Sequence, residues 1–251
     1  MKIAVLSDIH GNKDALKAVL EDIKYRSIDK IYNLGDTLYG PLFPLETYEM
    51  IKSTKNINSV SGNCDRILLA SSSENPTVQY VIDVLSEEHK SWLINLPFSI
   101  QTDDFYFCHA SPENDELYML NKITPNGVTL KQTEEIMKLV KDIPQNIIFC
   151  GHSHVPTIVY LPNNKIIINP GSVGLPAYEE VEPFYYKMES GTPFANYTVV
   201  EKRNGEWMIE QLSIPYDTKV AIKQSEVQNR SDWARALKCG RVKGSEAITP
   251  N

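Results

Sequence analysis

The chain has 251 residues, of which 42% are hydrophobic and 23% charged, and its formal net charge is -7. That length and composition fit a single globular domain over residues 1–251 and argue against disorder. An acidic balance without a long Lys/Arg run leaves no strong nucleic-acid signature, no apolar run approaches a membrane span, and the apolar start at 3–6 is too short for a signal peptide, so a cytoplasmic address is expected.

The chain opens on an apolar strand at 2–7. Asn12 is placed to cap a helix whose apolar face is Ala15, Leu16, Val19, Leu20 and Ile23. A short strand at 30–34 ends in Gly35-Asp36. A loop with Gly40, Pro41 and Pro44 leads to a helix over 45–52. A third strand, 57–60, ends in Gly62-Asn63. Helices follow at 77–85 and 86–93, then strands at 96–100 and 105–108, the latter ending in His109. Residues 111–125 read as irregular and 130–140 as helix. A buried-type strand at 146–150 ends in Gly151-His152. Hairpins are predicted at 157–168 and at 196–214, the second turning on Asn204-Gly205. The tail, from about 218, reads as helical, with Trp233, Leu237 and Val242 as its apolar points. Strands alternating with helices early and hairpins late predict an α/β domain of two mixed sheets with flanking helices.

Metal-capable side chains fall where these strands end. Asp8 and His10 follow the first strand, Asp36 the second and Asn63 the third; His109 follows a fourth, and His152 and His154 a fifth. In open α/β sheets, ligands gather beyond the carboxyl ends of strands. Four of the five histidines belong to this set; His89 lies in a polar helical segment and reads as a surface residue. Alternation along an extended segment puts both imidazoles of His152-Ser153-His154 on one side. The set exceeds what one tetrahedral ion needs, and two ions sharing Asp36 as a bridge would use all of it. Mixed O/N donors suit Mn, Fe, Zn, Co or Ni. Cys64, Cys108, Cys150 and Cys239 form no C-x-x-C pair, so a thiolate zinc site is not expected.

The motifs Asp8-Ile9-His10-Gly11-Asn12, Gly35-Asp36, Gly62-Asn63-Cys64-Asp65, His109 and Gly151-His152-Ser153-His154 resemble those of the calcineurin-like metallophosphoesterase family. The likeness runs from Met1 to about Tyr216 and is nearest the small bacterial phosphodiesterase branch. Asn169 to Gly174 and Asp232 to Leu237 also look like that branch. The resemblance implies a four-layer αββα sandwich with two divalent transition-metal ions on one rim. It gives Asp8, His10 and His154 to the first ion and Asn63, His109 and His152 to the second, with Asp36 bridging. It implies hydrolysis of phosphodiester or phosphoanhydride bonds in small, nucleotide-like substrates by a hydroxide held between the ions.

Asp36 and Asn63 stand in the catalytic set, and Asp65 joins them by buttressing a ligand. Asn12 is a candidate substrate contact or a helix cap. Arg66 is a candidate phosphate clamp or a solvated helix residue. Two departures from the family pattern matter: Cys64 stands where many members carry a catalytic His, and Thr37 to Gly40 offer no second Asp after Asp36. The alternatives are a phosphomonoesterase or protein phosphatase, and a non-catalytic scaffold on the same fold. Retention of His10, His109, His152 and His154 counts against the scaffold.

Overall fold

The computed structural model describes residues 1–28 and 30–244; the tail beyond 244 lies outside the described residues. The first sheet is built from β1 (Lys2–Leu6), β2 (Lys30–Asn33), β3 (Ile57–Ser59), β13 (Ala195–Arg203) and β14 (Glu206–Ile214), ordered β14-β13-β1-β2-β3. The second contains β4 (Ser99–Gln101), β5 (Phe105–Cys108), β8 (Ile147–Phe149), β9 (Thr157–Tyr160) and β10 (Ile166–Asn169), ordered β4-β5-β8-β10-β9. β1, β2 and β3 run parallel along one side of the first sheet, with β13 and β14 joined antiparallel on the other; β5, β8 and β10 run parallel in the middle of the second, between antiparallel β4 and β9.

The strand alternation assigns each side chain to a layer. Ile3 and Val5 of β1 and Phe105 and Phe107 of β5 meet between the sheets, where Phe107 stacks on Tyr32 at 3.9 Å and on Phe149 at 5.1 Å. Ala4 and Leu6 point the other way, onto Ala15, Leu16, Val19 and Ile23 of α1 (Lys13–Tyr25). Tyr106, Cys108 and Ile148 face Ile136 of α6 (Thr133–Leu139) and Val140, on the outside of the second sheet. These are the four layers of an αββα sandwich. Helices α2 (Pro44–Ser53), α3 (Asn63–Ile67), α4 (Pro76–Val84) and α5 (Glu87–Ile94) complete the first half. Asn75 caps α4, its Oδ1 accepting from Thr77 N at 2.9 Å, with Pro76 at the first position.

Three elements depart from the sequence reading. The segment read as irregular at 111–125 carries β6 (Asn121–Thr124), which pairs with β7 (Gly127–Leu130) around Pro125-Asn126-Gly127. There Gly127 has φ 110°, and the Thr124 hydroxyl donates to the Gly127 carbonyl. A second hairpin, β11 (Ala177–Glu180) with β12 (Tyr186–Glu189), was not expected. The tail is two helices, α7 (Lys219–Val227) and α8 (Ser231–Cys239), because the chain breaks at Asn229 with φ 58°.

Candidate dinuclear metal centre

The parallel strands of both sheets end at the same rim, and β1, β2, β3, β5 and β8 deliver the expected ligands there, most of them on tight turns. Asp8, His10, Asp36, His152 and His154 all hold positive φ, between 53° and 66°. Such backbone costs about 1–3 kcal/mol per non-glycine residue and persists only where surroundings enforce it. Here the turns are laced together: Asp8 N donates to Gly35 O, His10 N to Asp36 O, and His152 N to Asp8 Oδ2.

Two clusters result. Ligand atoms of Asp8, His10 and His154 lie within 4.8 Å of one another, and so do those of Asp36, His109 and His152. Asn63 Oδ1 joins the second cluster, 2.9 Å from His109 Nε2. Every residue expected as a metal ligand is therefore brought to one rim. The clusters adjoin closely enough for Asp36 to act on His10 and for Asp8 to act on His109.

The donor geometry fits cations. His10 Nδ1 meets Tyr39 O at 3.1 Å and His154 Nδ1 meets Leu175 O at 2.7 Å. A carbonyl only accepts, so each Nδ1 carries the proton and each Nε2 presents a lone pair. Those two Nε2 atoms face each other at 3.1 Å. Asp8 Oδ1, fully buried, lies 3.3 Å from His154 Nε2 and has no hydrogen-bond donor among the described residues. The second cluster repeats the pattern. His109 Nδ1 meets Leu34 O at 2.8 Å, which turns the Nε2 lone pair toward Asn63 Oδ1 and, at 3.5 Å, Asp36 Oδ2. Acceptors gathered on acceptors in a buried site repel unless positive charge lies among them.

The titration pattern has the same origin. Burial, then the His154 imidazole, holds His10 down to about 4, and burial with His109 holds His152 down to about 4. For His109 burial is outweighed by the Asp36 and Asp8 carboxylates, and its pKa is raised. Burial alone would raise Asp8, but the imidazoles, led by His154, pull it well below the usual carboxylate range.

A ring of supporting groups fixes the ligands. Asp65 accepts from Asp36 N at 2.8 Å, Thr37 N at 3.0 Å and Gly62 N at 3.0 Å, tying the second and third strand ends together. Burial and the Asp36 carboxylate push it up to about 7 against the pull of those amides. Asn169 Nδ2 donates to Gly151 O and Ser153 Oγ, and Ser172 Oγ donates to Asp8 O. Gly174 is required there, since a Cβ would lie 1.7 Å from Ile9 O. Asn12 is fully buried. Its Oδ1 caps α1 at Ala15 N, and its Nδ2 donates to Gly174 O and Tyr216 OH. In this geometry Asn12 is a helix cap with its side-chain polar atoms all engaged. Of the two readings for Arg66, phosphate clamp or solvated helix residue, the structure shows a side chain that points to Asp115 and Glu116, with bonds of 2.7 to 3.0 Å. That grip holds the segment whose Glu116 carbonyl meets His152 Nε2 at 3.1 Å.

The calcineurin-like phosphoesterase superfamily domain matches residues 1–189. The chain belongs to that superfamily. An uncharacterized protein of Methanocaldococcus jannaschii is 30% identical to this chain over 92% of the chain and 94% of its own length. A symmetrical bis(5'-nucleosyl)-tetraphosphatase of Vibrio parahaemolyticus is 28% identical over 59% of each chain. Among solved structures, a metallophosphoesterase from Sphaerobacter thermophilus superposes with TM-score 0.76 at 24% identity, covering 96% of this chain and 99% of its own. A protein of Pyrococcus horikoshii does so with TM-score 0.73 at 21% identity and the same coverage.

A cavity of about 1220 Å³ opens over both clusters. Besides cluster residues it is lined by Tyr39, Cys64, Leu117, Tyr118, Tyr178, Tyr186, Arg230 and Trp233. The sequence reading missed most of these. Tyr118 stacks on His152 at 4.5 Å, Tyr178 OH donates to His152 O, and the hydroxyls of Tyr118, Tyr178 and Tyr186 form one chain. Nothing local in the sequence marked Tyr178 or Tyr118. The Cys64 thiol is pushed well above its ordinary pKa by burial and then by Asp36, so it is held as a thiol. Its amide donates to Asp36 Oδ1 at 2.8 Å.

Proposed function

We propose that this chain is a dinuclear metal-dependent hydrolase of phosphodiester or phosphoanhydride bonds in small, nucleotide-like substrates. The observation that carries the reading is the pair of adjoining clusters whose buried imidazole lone pairs and carboxylate oxygens converge. Asp8, His10 and His154 would hold one ion, Asn63, His109 and His152 the other, and Asp36 both. When bound, such a pair polarises phosphoryl oxygens and lowers the pKa of water at neutral pH. The protein supplies orientation: Asp65 and the Cys64 amide fix Asp36, and the tyrosine chain fixes His152. The cavity exceeds the roughly 300–1,000 Å³ of ordinary small-molecule pockets, which gives room for a nucleotide and more. The likeness to a bis(5'-nucleosyl)-tetraphosphatase supports the anhydride class.

Cys64 narrows the substrate further. A thiol is a weak hydrogen-bond donor and a weak acid at neutral pH, whereas a well-placed general acid contributes ~10²–10⁴-fold to expelling a poor leaving group. Preference should fall on leaving groups that depart unprotonated. The test is a substrate panel run on chelated enzyme with Mn, Fe, Zn, Co or Ni restored. Nucleoside polyphosphates and aryl phosphodiesters should turn over, simple alkyl diesters slowly, with a steep negative dependence of kcat/KM on leaving-group pKa. Fastest turnover of monoesters, or a flat dependence with chemistry rate-limiting, would overturn this substrate class.

A further inference from the structure

The two ligand clusters lean on different parts of the chain. His152 is held from the side of Glu116 and Tyr118. His10 is held from the tail. The Trp233 ring stands edge-on to the His10 ring, 5.7 Å away at 88°, and Tyr39, whose carbonyl meets His10 Nδ1, touches the same imidazole at 5.8 Å. Trp233 is 4% exposed. It reaches this place through a notch at Gly40: a Cβ there would lie 2.6 Å from Trp233 Cη2 and 2.8 Å from His10 O.

Trp233 is itself braced. The Arg230 guanidinium lies 5.5 Å over its ring. That guanidinium is fixed by Asp232, by the Thr77 hydroxyl of α4 and by Tyr39. Leu237 and Val242 of the same segment pack against Leu42 and Leu175, residues of the two loops that carry the carbonyls and turns around His10 and His154. Arg230, Asp232, Trp233, Leu237 and Val242 lie beyond the 1–189 stretch that matches the superfamily domain, while the residues they brace lie within it.

We propose that Trp233 is a positioning residue for His10, so that the cluster of Asp8, His10 and His154 depends on Trp233 more than the cluster of Asn63, His109 and His152 does. The proposal rests on the dinuclear reading above. Partners that orient a ligand from outside typically contribute 10–100-fold to metal affinity. The experiment is Mn²⁺ titration of the full chain by calorimetry and electron paramagnetic resonance, with circular dichroism on the metal-free protein. Trp233→Ala should keep the fold and one ion while weakening the other by about tenfold or more, replacing a spin-coupled spectrum with a mononuclear one. Trp233→Phe should restore the second ion. Adding Trp233→Ala to His10→Ala should change little, because the indole acts through that imidazole, and adding His109→Ala to Trp233→Ala should remove the remaining ion. Should Trp233→Ala fail to fold, Trp233→Leu, which keeps an apolar side chain without the ring edge, is read the same way. Two ions bound as tightly in Trp233→Ala as in the unchanged chain overturns this proposal alone, as does equal weakening of both. An unchanged chain that binds no Mn²⁺ overturns the dinuclear reading itself.

Discussion

Asp36 concentrates the chemistry of the rim in one carboxylate. Its Oδ2 faces His109, its Oδ1 accepts from the Cys64 amide, and its own amide is fixed by Asp65. Asp36→Asn removes the negative charge that the proposed pair of cations would share, so kcat/KM should fall by ~10²-fold or more with loss of bound metal. Arg66→Ala should cost less, because its carboxylate pairs are half-exposed and such pairs contribute only ~0–1 kcal/mol. Near wild-type turnover and metal content in Asp36→Asn would contradict the bridge. At this scale the ligands were legible because each follows a strand, where the side chain must leave the sheet at its carboxyl end. The supporting residues were not. Whether Asn12 caps a helix or meets substrate depends on Gly174 and Tyr216, both more than 160 residues away, and whether Arg66 reaches a phosphate depends on where Asp115 lies.

Among elements, the strands between the sheets carry the clearest consequence. Phe107 lies between Tyr32 of the opposite sheet and Phe149 of its own. Phe107→Ala should cost about 3–5 kcal/mol in denaturant unfolding, and a loss below about 1 kcal/mol would mean the sheets do not meet there. These strands were legible from alternation and apolar runs, because their partners impose a period of two. The hairpins at 121–130 and 177–189 were harder to see. Their strands are short, only partly buried, and pair only with each other. Pro125-Asn126-Gly127 marks the first turn, but Ile123 and Val128 alone are too few to show a period. The tail reads as helical because of Trp233, Leu237 and Val242; its packing against the His10 loop is a tertiary fact with no local trace.

For the whole molecule, six parallel strands from two sheets bring their carboxyl ends to one rim, and that convergence gathers the candidate metal centre from residues spread over positions 8 to 154. Collective burial also sets the proton balance. His10 and His152, held near 4, are already neutral at pH 7 and have no proton to lose, whereas at His109, whose pKa Asp36 and Asp8 raise, protons compete with an arriving cation to higher pH. Metal affinity should therefore weaken as pH falls through the raised His109 pKa, and binding in that range should release protons. Calorimetry in two buffers of different ionisation enthalpy reads this directly; identical heats would contradict it. The measurement that tests the central claim most directly is metal analysis of the purified chain, joined to activity after chelation and add-back. The account predicts about two transition-metal ions per chain, activity lost with their removal and regained on their return. Full phosphoesterase activity in a metal-free protein held in chelator would contradict it.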